Sequence, residues 1–167
     1  MYILNNGIGD EGLRAIEAAF QESRTLKTIC GATGTVLDLS GRELGVEGAK
    51  MVAIELKYNG ALRSLNISSN QMATKQAGDV LGEMLKHNTA LTELDVSYNA
   101  GYVTYNEEYA GHDFAAGIAD GLVANRVLTS LNLANNEIGP EGVKRISAAI
   151  KANVSALRVR FGRLVPC

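Results

Sequence analysis

Tryptophan is absent from this chain of 167 residues, and aromatic residues make up only 5% of it. Few large rings are available to a core, so the 46% hydrophobic content has to pack as leucine, isoleucine and alanine in small repeated increments. Only two cysteines occur, Cys30 and Cys167, far apart and without metal-ligand spacing. That excludes a disulfide-stapled extracellular scaffold and points to a reducing compartment. No apolar stretch is long enough to span a membrane, and no secretory leader is read ahead of the first repeat. Acidic residues are missing after residue 142: residues 143–167 hold six basic residues and none acidic, whereas 1–142 hold 10 basic and 18 acidic.

What is present is a repeat. In Leu128 to Asn153, Leu131 and Leu133 flank Asn132 with the alternation of a short strand. Asn136 closes the strand, and Gly139-Pro140-Glu141-Gly142 opens a helix, where proline and an acidic residue both suit the first turn. Val143, Ile146, Ala149 and Ile150 then form one apolar stripe opposite Lys144, Arg145 and Lys151. The hexapeptide starting at Leu131 aligns with those starting at Leu94, Leu65, Leu37 and Met1, and the helix stripe recurs with it, Glu55 being its one discordant member. The interval is 28 residues from Leu37 to Leu65 and 29 from Leu65 to Leu94, and the other two intervals are longer by an insertion. A period of this size defines a solenoid. We expect a single domain over 1–167, with units at 1–25, 26–61, 62–90, 91–127 and 128–156 and a terminal strand in 157–167.

The LxxLxLxxN pattern, followed by an IGxEG turn and a full helix, resembles the ribonuclease-inhibitor type of leucine-rich repeat over nearly the whole chain. The resemblance implies an α/β fold: a right-handed solenoid with a parallel sheet on the concave side and helices outside. That family includes ribonuclease inhibitor, the GTPase-activating protein of Ran, tropomodulin-like actin regulators and many ciliary scaffolds, so fold alone does not choose a function. The reading adopted is a non-enzymatic protein-interaction or scaffold module inside a cell, cytoplasmic or on a cytoskeletal or ciliary structure, and part of a larger protein or assembly. The alternative is a GTPase regulator similar to the Ran activator, although no residue here carries over as its catalytic residue. No cofactor or metal is expected, and nucleic acid is a poor partner because most of the surface is acidic and offers no stacking platform.

Three groups of residues are candidates for partner contact. Strand residues pointing away from the core should line the concave face: Asp38 and Ser40, Ser64, Asn66 and Ser68, Glu93, Asp95 and Ser97, Ser130, Asn132 and Ala134, with Glu93 and Asp95 the densest charge. An insertion between Asn99 and a helix expected from about Phe114 brings Tyr98, Tyr102, Tyr105 and Tyr109 together, and tyrosine on a loop offers rigid contact area with a polar tip. Arg158, Arg160 and Arg163 make the last strand basic, which guards a sheet edge or meets an acidic partner.

Several local features carry expectations of their own. Cys30 to Thr35 reads as a tight surface loop, lacking the lysine and hydroxyl of a phosphate loop. The asparagines Asn6, Asn70, Asn99 and Asn136 should bond turn backbone, and Arg42 interrupts that ladder, so its turn should differ or its side chain lean outward. Met1, Ile3, Leu13, Ile16 and Phe20 sit at an end with no polar cap, where apolar surface and association through that end are expected.

Overall fold

Each strand is three residues long with its middle residue turned inward, and that one residue sets the register of the whole sheet. In the computed structural model, which describes residues 4, 6–23, 25–100, 110–153 and 156–162, Leu37, Leu65, Leu94, Leu131 and Val159 stand side by side across five parallel strands. The elements alternate: α1 Gly9–Glu22, β1 Val36–Asp38, α2 Gly45–Tyr58, β2 Ser64–Asn66, α3 Lys75–His87, β3 Glu93–Asp95, α4 Ala110–Ala124, β4 Ser130–Asn132, α5 Gly139–Ala152 and β5 Arg158–Arg160. Strand order in the sheet is sequence order, so every connection is a helix laid back over the same face. The fold is an α/β solenoid of the leucine-rich-repeat kind. Its core is one continuous cluster from Leu13 to Ala149, with Phe114, Ile29, Leu65, Leu81 and Ile118 fully buried.

Two ladders of short polar side chains tie the units together. At the strand ends, the Asn70 side-chain oxygen accepts from the Arg42 and Leu44 amides at 2.8 and 3.3 Å, and the Asn99 oxygen accepts from those of Asn70 and Met72 at 2.8 and 3.3 Å. Asn136 does the same for the Asn99 amide at 2.7 Å. Their amide groups donate to the Leu39, Ile67 and Val96 carbonyls of the preceding unit. Buried turn backbone that would otherwise be orphaned is thereby paired across units. Arg42 enters the ladder through its backbone amide, and its side chain, which cannot accept a hydrogen bond, is exposed.

The second ladder was not read from the sequence. Asn88, Asn125 and Asn153, each at a helix C-terminus, donate to the Leu56, Leu85 and Leu122 carbonyls of the preceding helix at 3.0, 2.7 and 2.6 Å. The Asn88 and Asn125 oxygens accept from the next chain turn, at Leu91 and Leu128. Ser23 stands at the same point of the first unit, its hydroxyl accepting from Leu26. The signal was there as a polar residue three before leucine in Ser23-Leu26, Asn59-Leu62, Asn88-Leu91 and Asn125-Leu128.

Glu55, the discordant member of the apolar stripe, is 1% exposed and fully used. One carboxyl oxygen accepts from the Ile29 and Cys30 amides and the Thr28 hydroxyl at 2.7, 3.1 and 3.0 Å, and the other from the Asn59 side chain at 2.8 Å. It anchors the inserted segment before β1. That segment is therefore not a surface loop throughout: Cys30 and Ala32 are buried and Thr33 to Thr35 exposed, because backbone bonded to a core carboxyl is drawn inward. Burial, with Glu55 beside it, pushes the Cys30 thiol well above the ordinary range, so it stays a thiol.

Two further expectations are corrected. Helix α4 starts at Ala110 rather than near Phe114, its Gly111 backed directly against the Asn136 carbonyl, an approach that only a residue without a Cβ permits. At the first unit, Leu13 and Phe20 are buried, not presented to water, since α1 lays its stripe on α2 and Phe20 meets the Tyr58 ring edge-on at 5.4 Å. Ile16 is half-buried, and Met1 and Ile3 lie outside the described residues. The Glu47 carboxyl accepts from the Ile8 and Gly9 amides at 3.1 and 3.3 Å, satisfying the start of α1 from the neighbouring unit.

Candidate functional site

The strand residues flanking each central leucine form two rows across the sheet. The sheet register aligns Val36, Ser64, Glu93, Ser130 and Arg158 in one row, and Asp38, Asn66, Asp95, Asn132 and Arg160 in the other. A hollow of about 550 Å³ lies over β2 to β5, lined by Ser64, Asn66, Glu93, Asp95, Asn132, Arg158 and Arg160 among others. Eight of the residues selected from the sequence, Ser64, Asn66, Glu93, Asp95, Ser130, Asn132, Arg158 and Arg160, are brought together here, and Asp38 adjoins them on β1.

The second row is largely committed to the fold. Asp38 accepts from the Ser40 amide at 2.9 Å, Asn66 from Ser68 at 3.0 Å, Asp95 from Ser97 at 2.9 Å and Asn132 from Ala134 at 3.2 Å. Each side chain thus closes an Asx turn that ends its strand. Asp95 is bonded further by the Ser97 hydroxyl at 2.6 Å and the Asn132 amide at 2.8 Å. Ser97 and Ala134, expected on the concave surface, are buried, because the turn folds them inward. The Ser40 amide, and after it the Ser40 hydroxyl, holds the Asp38 carboxyl below its ordinary range.

The first row is different. Val36, Glu93, Ser130 and Arg158 are exposed, and Ser64 is half-exposed. The side chains of Glu93, Arg158 and Arg160 have no hydrogen-bond or ion-pair partner among the described residues. Glu93 and Arg158 stand two strands apart, about 9.6 Å by sheet spacing, and form no ion pair with each other. Val36 was missed in the sequence because it follows the inserted loop, although it lies two residues before Asp38.

Tyr98 lies on the rim, 61% exposed, three residues beyond Asp95. Its φ of 56° is the left-handed conformation that also holds Gly41, Ser69 and Asn135 at the same point of their turns. A bulky residue there is unusual and points the ring out of the stack. Tyr102, Tyr105, Tyr109 and Arg163 lie outside the described residues. Among the described residues no group of three or more His, Cys, Asp or Glu side chains is placed to hold a metal ion, and no helix is long and apolar enough to cross a membrane.

A larger groove of about 690 Å³ separates α2 and α3 on the helical side, with Ala53, Ile54, Leu56 and Met84 in its lining. Its charged rim is already paired, Lys57 with Glu17 at 2.7 Å and His87 with Glu83 at 2.8 Å. Size favours this groove, but unspent charge favours the concave hollow, and recognition depends on the latter.

Comparison with known proteins agrees with this geometry. The family model described as Leucine Rich repeat matches residues 4–16, 87–100 and 124–147. Leucine-rich repeat-containing protein 45 of Gallus gallus is 31% identical over 140 residues, covering 78% of this chain and 20% of the relative. The chain therefore spans about a fifth of that relative's length. A solved structure titled Leiomodin-1 Actin-Binding Site 2 superposes with a TM-score of 0.62 at 17% identity, covering 94% of this chain and 80% of its own. At that identity the likeness bears on the fold alone. The chain is a leucine-rich-repeat protein, a class whose members are in general protein-binding modules rather than enzymes.

Proposed function

We propose that this chain is a protein-interaction module that holds a partner protein across its concave sheet face, as one part of a larger assembly. The reading is carried by one observation: Glu93, Arg158 and Arg160 are exposed and, among the described residues, unpaired around a hollow whose other acidic member, Asp95, is bonded into the fold. A merely solvated sheet face gains nothing from opposite charges that do not pair with each other, whereas a partner that supplies both counter-charges does. Tyr98, exposed on the rim, would extend the contact, and Tyr102, Tyr105 and Tyr109 follow it in the sequence.

Affinity purification from the source cell followed by mass spectrometry, run on wild type, on Glu93→Lys/Arg158→Glu and on Lys144→Glu, tests this. Lys144 lies on α5 on the helical side and is 74% exposed. The double variant should lose a partner that the Lys144 variant keeps. Equal recovery by all three would overturn the concave-face reading. Stimulation of a GTPase by the chain would instead support the regulator that the family resemblance raises.

A further inference from the structure

The row Val36, Ser64, Glu93, Ser130, Arg158 has a pattern of its own. Serines occupy β2 and β4, while β1, β3 and β5 present in turn an apolar, an anionic and a cationic side chain. All three are exposed, and Val36 is the most exposed large hydrophobic among the described residues, at 65%. They recur every second strand, about 9.6 Å apart. Arg160, beside Arg158 on β5, strengthens the cationic end.

We infer that this row is a binding register for an extended peptide segment that lies across the strands and carries an apolar, a basic and an acidic side chain at successive third positions. The inference rests on the concave-face reading and adds the partner's chemistry to it. A polyproline-II segment has three residues per turn and rises about 3.1 Å per residue, so every third side chain faces the same way at about 9.3 Å intervals. That matches the two-strand interval. A β-strand does not, because its side chains alternate with period two and every third one points to the opposite face. In the matching order the apolar group covers Val36, the basic group meets Glu93 and the acidic group meets Arg158 and Arg160. The hydroxyls of Ser64 and Ser130 fall beneath the intervening backbone, which in this conformation has no internal hydrogen bonds.

Two fluorescent peptides of identical composition test it against the whole chain by anisotropy. One carries Val-Pro-Pro-Lys-Pro-Pro-Glu and the other exchanges its lysine and glutamate. Whichever way it runs, the exchanged peptide with its apolar end on Val36 sets an acidic group over Glu93. The first peptide should bind about tenfold more tightly, two exposed charge pairs being turned from attraction to repulsion. The Glu93→Lys/Arg158→Glu/Arg160→Glu variant should reverse the preference, which general loss of structure would not do. Circular dichroism of this variant checks that it is folded. Equal binding of both peptides, or of neither, would overturn the inference. If the Glu93→Lys/Arg158→Glu chain still loses its cellular partner in that event, the concave-face reading stands and only the register fails. If it keeps the partner, both fail.

Discussion

Gly82 on α3 and Gly117 on α4 face each other so closely that a methyl group on Gly82 would overlap the Gly117 carbonyl. Gly78 and Gly121 continue the contact one turn away on either side, each helix presenting glycines four residues apart. Gly→Ala in a helix interior ordinarily stabilises by about 0.5–1 kcal/mol. Here the obstacle is backbone, which cannot swing aside, so Gly82→Ala and Gly117→Ala should each destabilise by roughly 1–3 kcal/mol in urea unfolding. Gly60→Ala, with open space around its Cβ, should be neutral or slightly stabilising.

Glu55→Leu would restore the apolar stripe of α2 and is still expected to harm the protein. It leaves the buried Ile29 and Cys30 amides without an acceptor, at about 1–3 kcal/mol for each unsatisfied group. Glu55→Gln keeps an acceptor and should cost less. Hydrogen exchange at Ile29 and Cys30 should accelerate in the leucine variant before global stability is lost, and unchanged protection there would contradict the anchoring role.

Asn99 sits in the middle of the strand-end ladder, accepting from two amides and donating to the Ile67 and Val96 carbonyls. Asn99→Ala should therefore cost at least about 2–3 kcal/mol, whereas Arg42→Ala, at the equivalent point of its unit but exposed, should cost well under that. Denaturant unfolding of both variants gives the comparison.

Tyr98 combines an exposed ring with a left-handed backbone. Glycine relieves the steric cost of that conformation, roughly 1–2 kcal/mol for a residue with a Cβ, and loses little packing. Tyr98→Gly should leave the melting temperature unchanged or higher. A marked fall would assign the ring a packing role, whereas loss of partner capture at unchanged stability would assign it to contact.

Asp38 provides a pH test. Its carboxyl is held below the ordinary range chiefly by the Ser40 amide, so the folded form binds the proton less readily than the unfolded chain. The stability this contributes is complete above the unfolded carboxylate value of 3.8 and is lost as pH falls through the lowered folded value. Carbon-13 NMR titration should place Asp38 below a reference aspartate, and Asp38→Asn, which keeps the acceptor, should remove that part of the acid sensitivity. A titration at the ordinary value would show that the Asx turn does not hold the carboxylate.

The sequence by itself determined the repeat, because one inward leucine per strand and one apolar stripe per helix are local patterns with fixed periods. Leu37, Leu65, Leu94 and Leu131 are buried in the register those patterns imply. It also placed Glu93, Asp95, Arg158 and Arg160 on one face, since strand alternation does that without further information. Tertiary structure alone decided which of those charges are spent. Asp95 and Glu93 are two residues apart with the same charge, yet one is bonded by a turn and a neighbouring asparagine and the other has no side-chain partner among the described residues. The glycines of α3 and α4 and the misfit carboxyl of Glu55 likewise acquire meaning only from what packs beside them. Gly82 needs the Gly117 backbone, and Glu55 needs amides 26 and 25 residues earlier in the chain. Periodicity fixes which way a side chain points, but its partner across the stack is a long-range contact that no local pattern encodes.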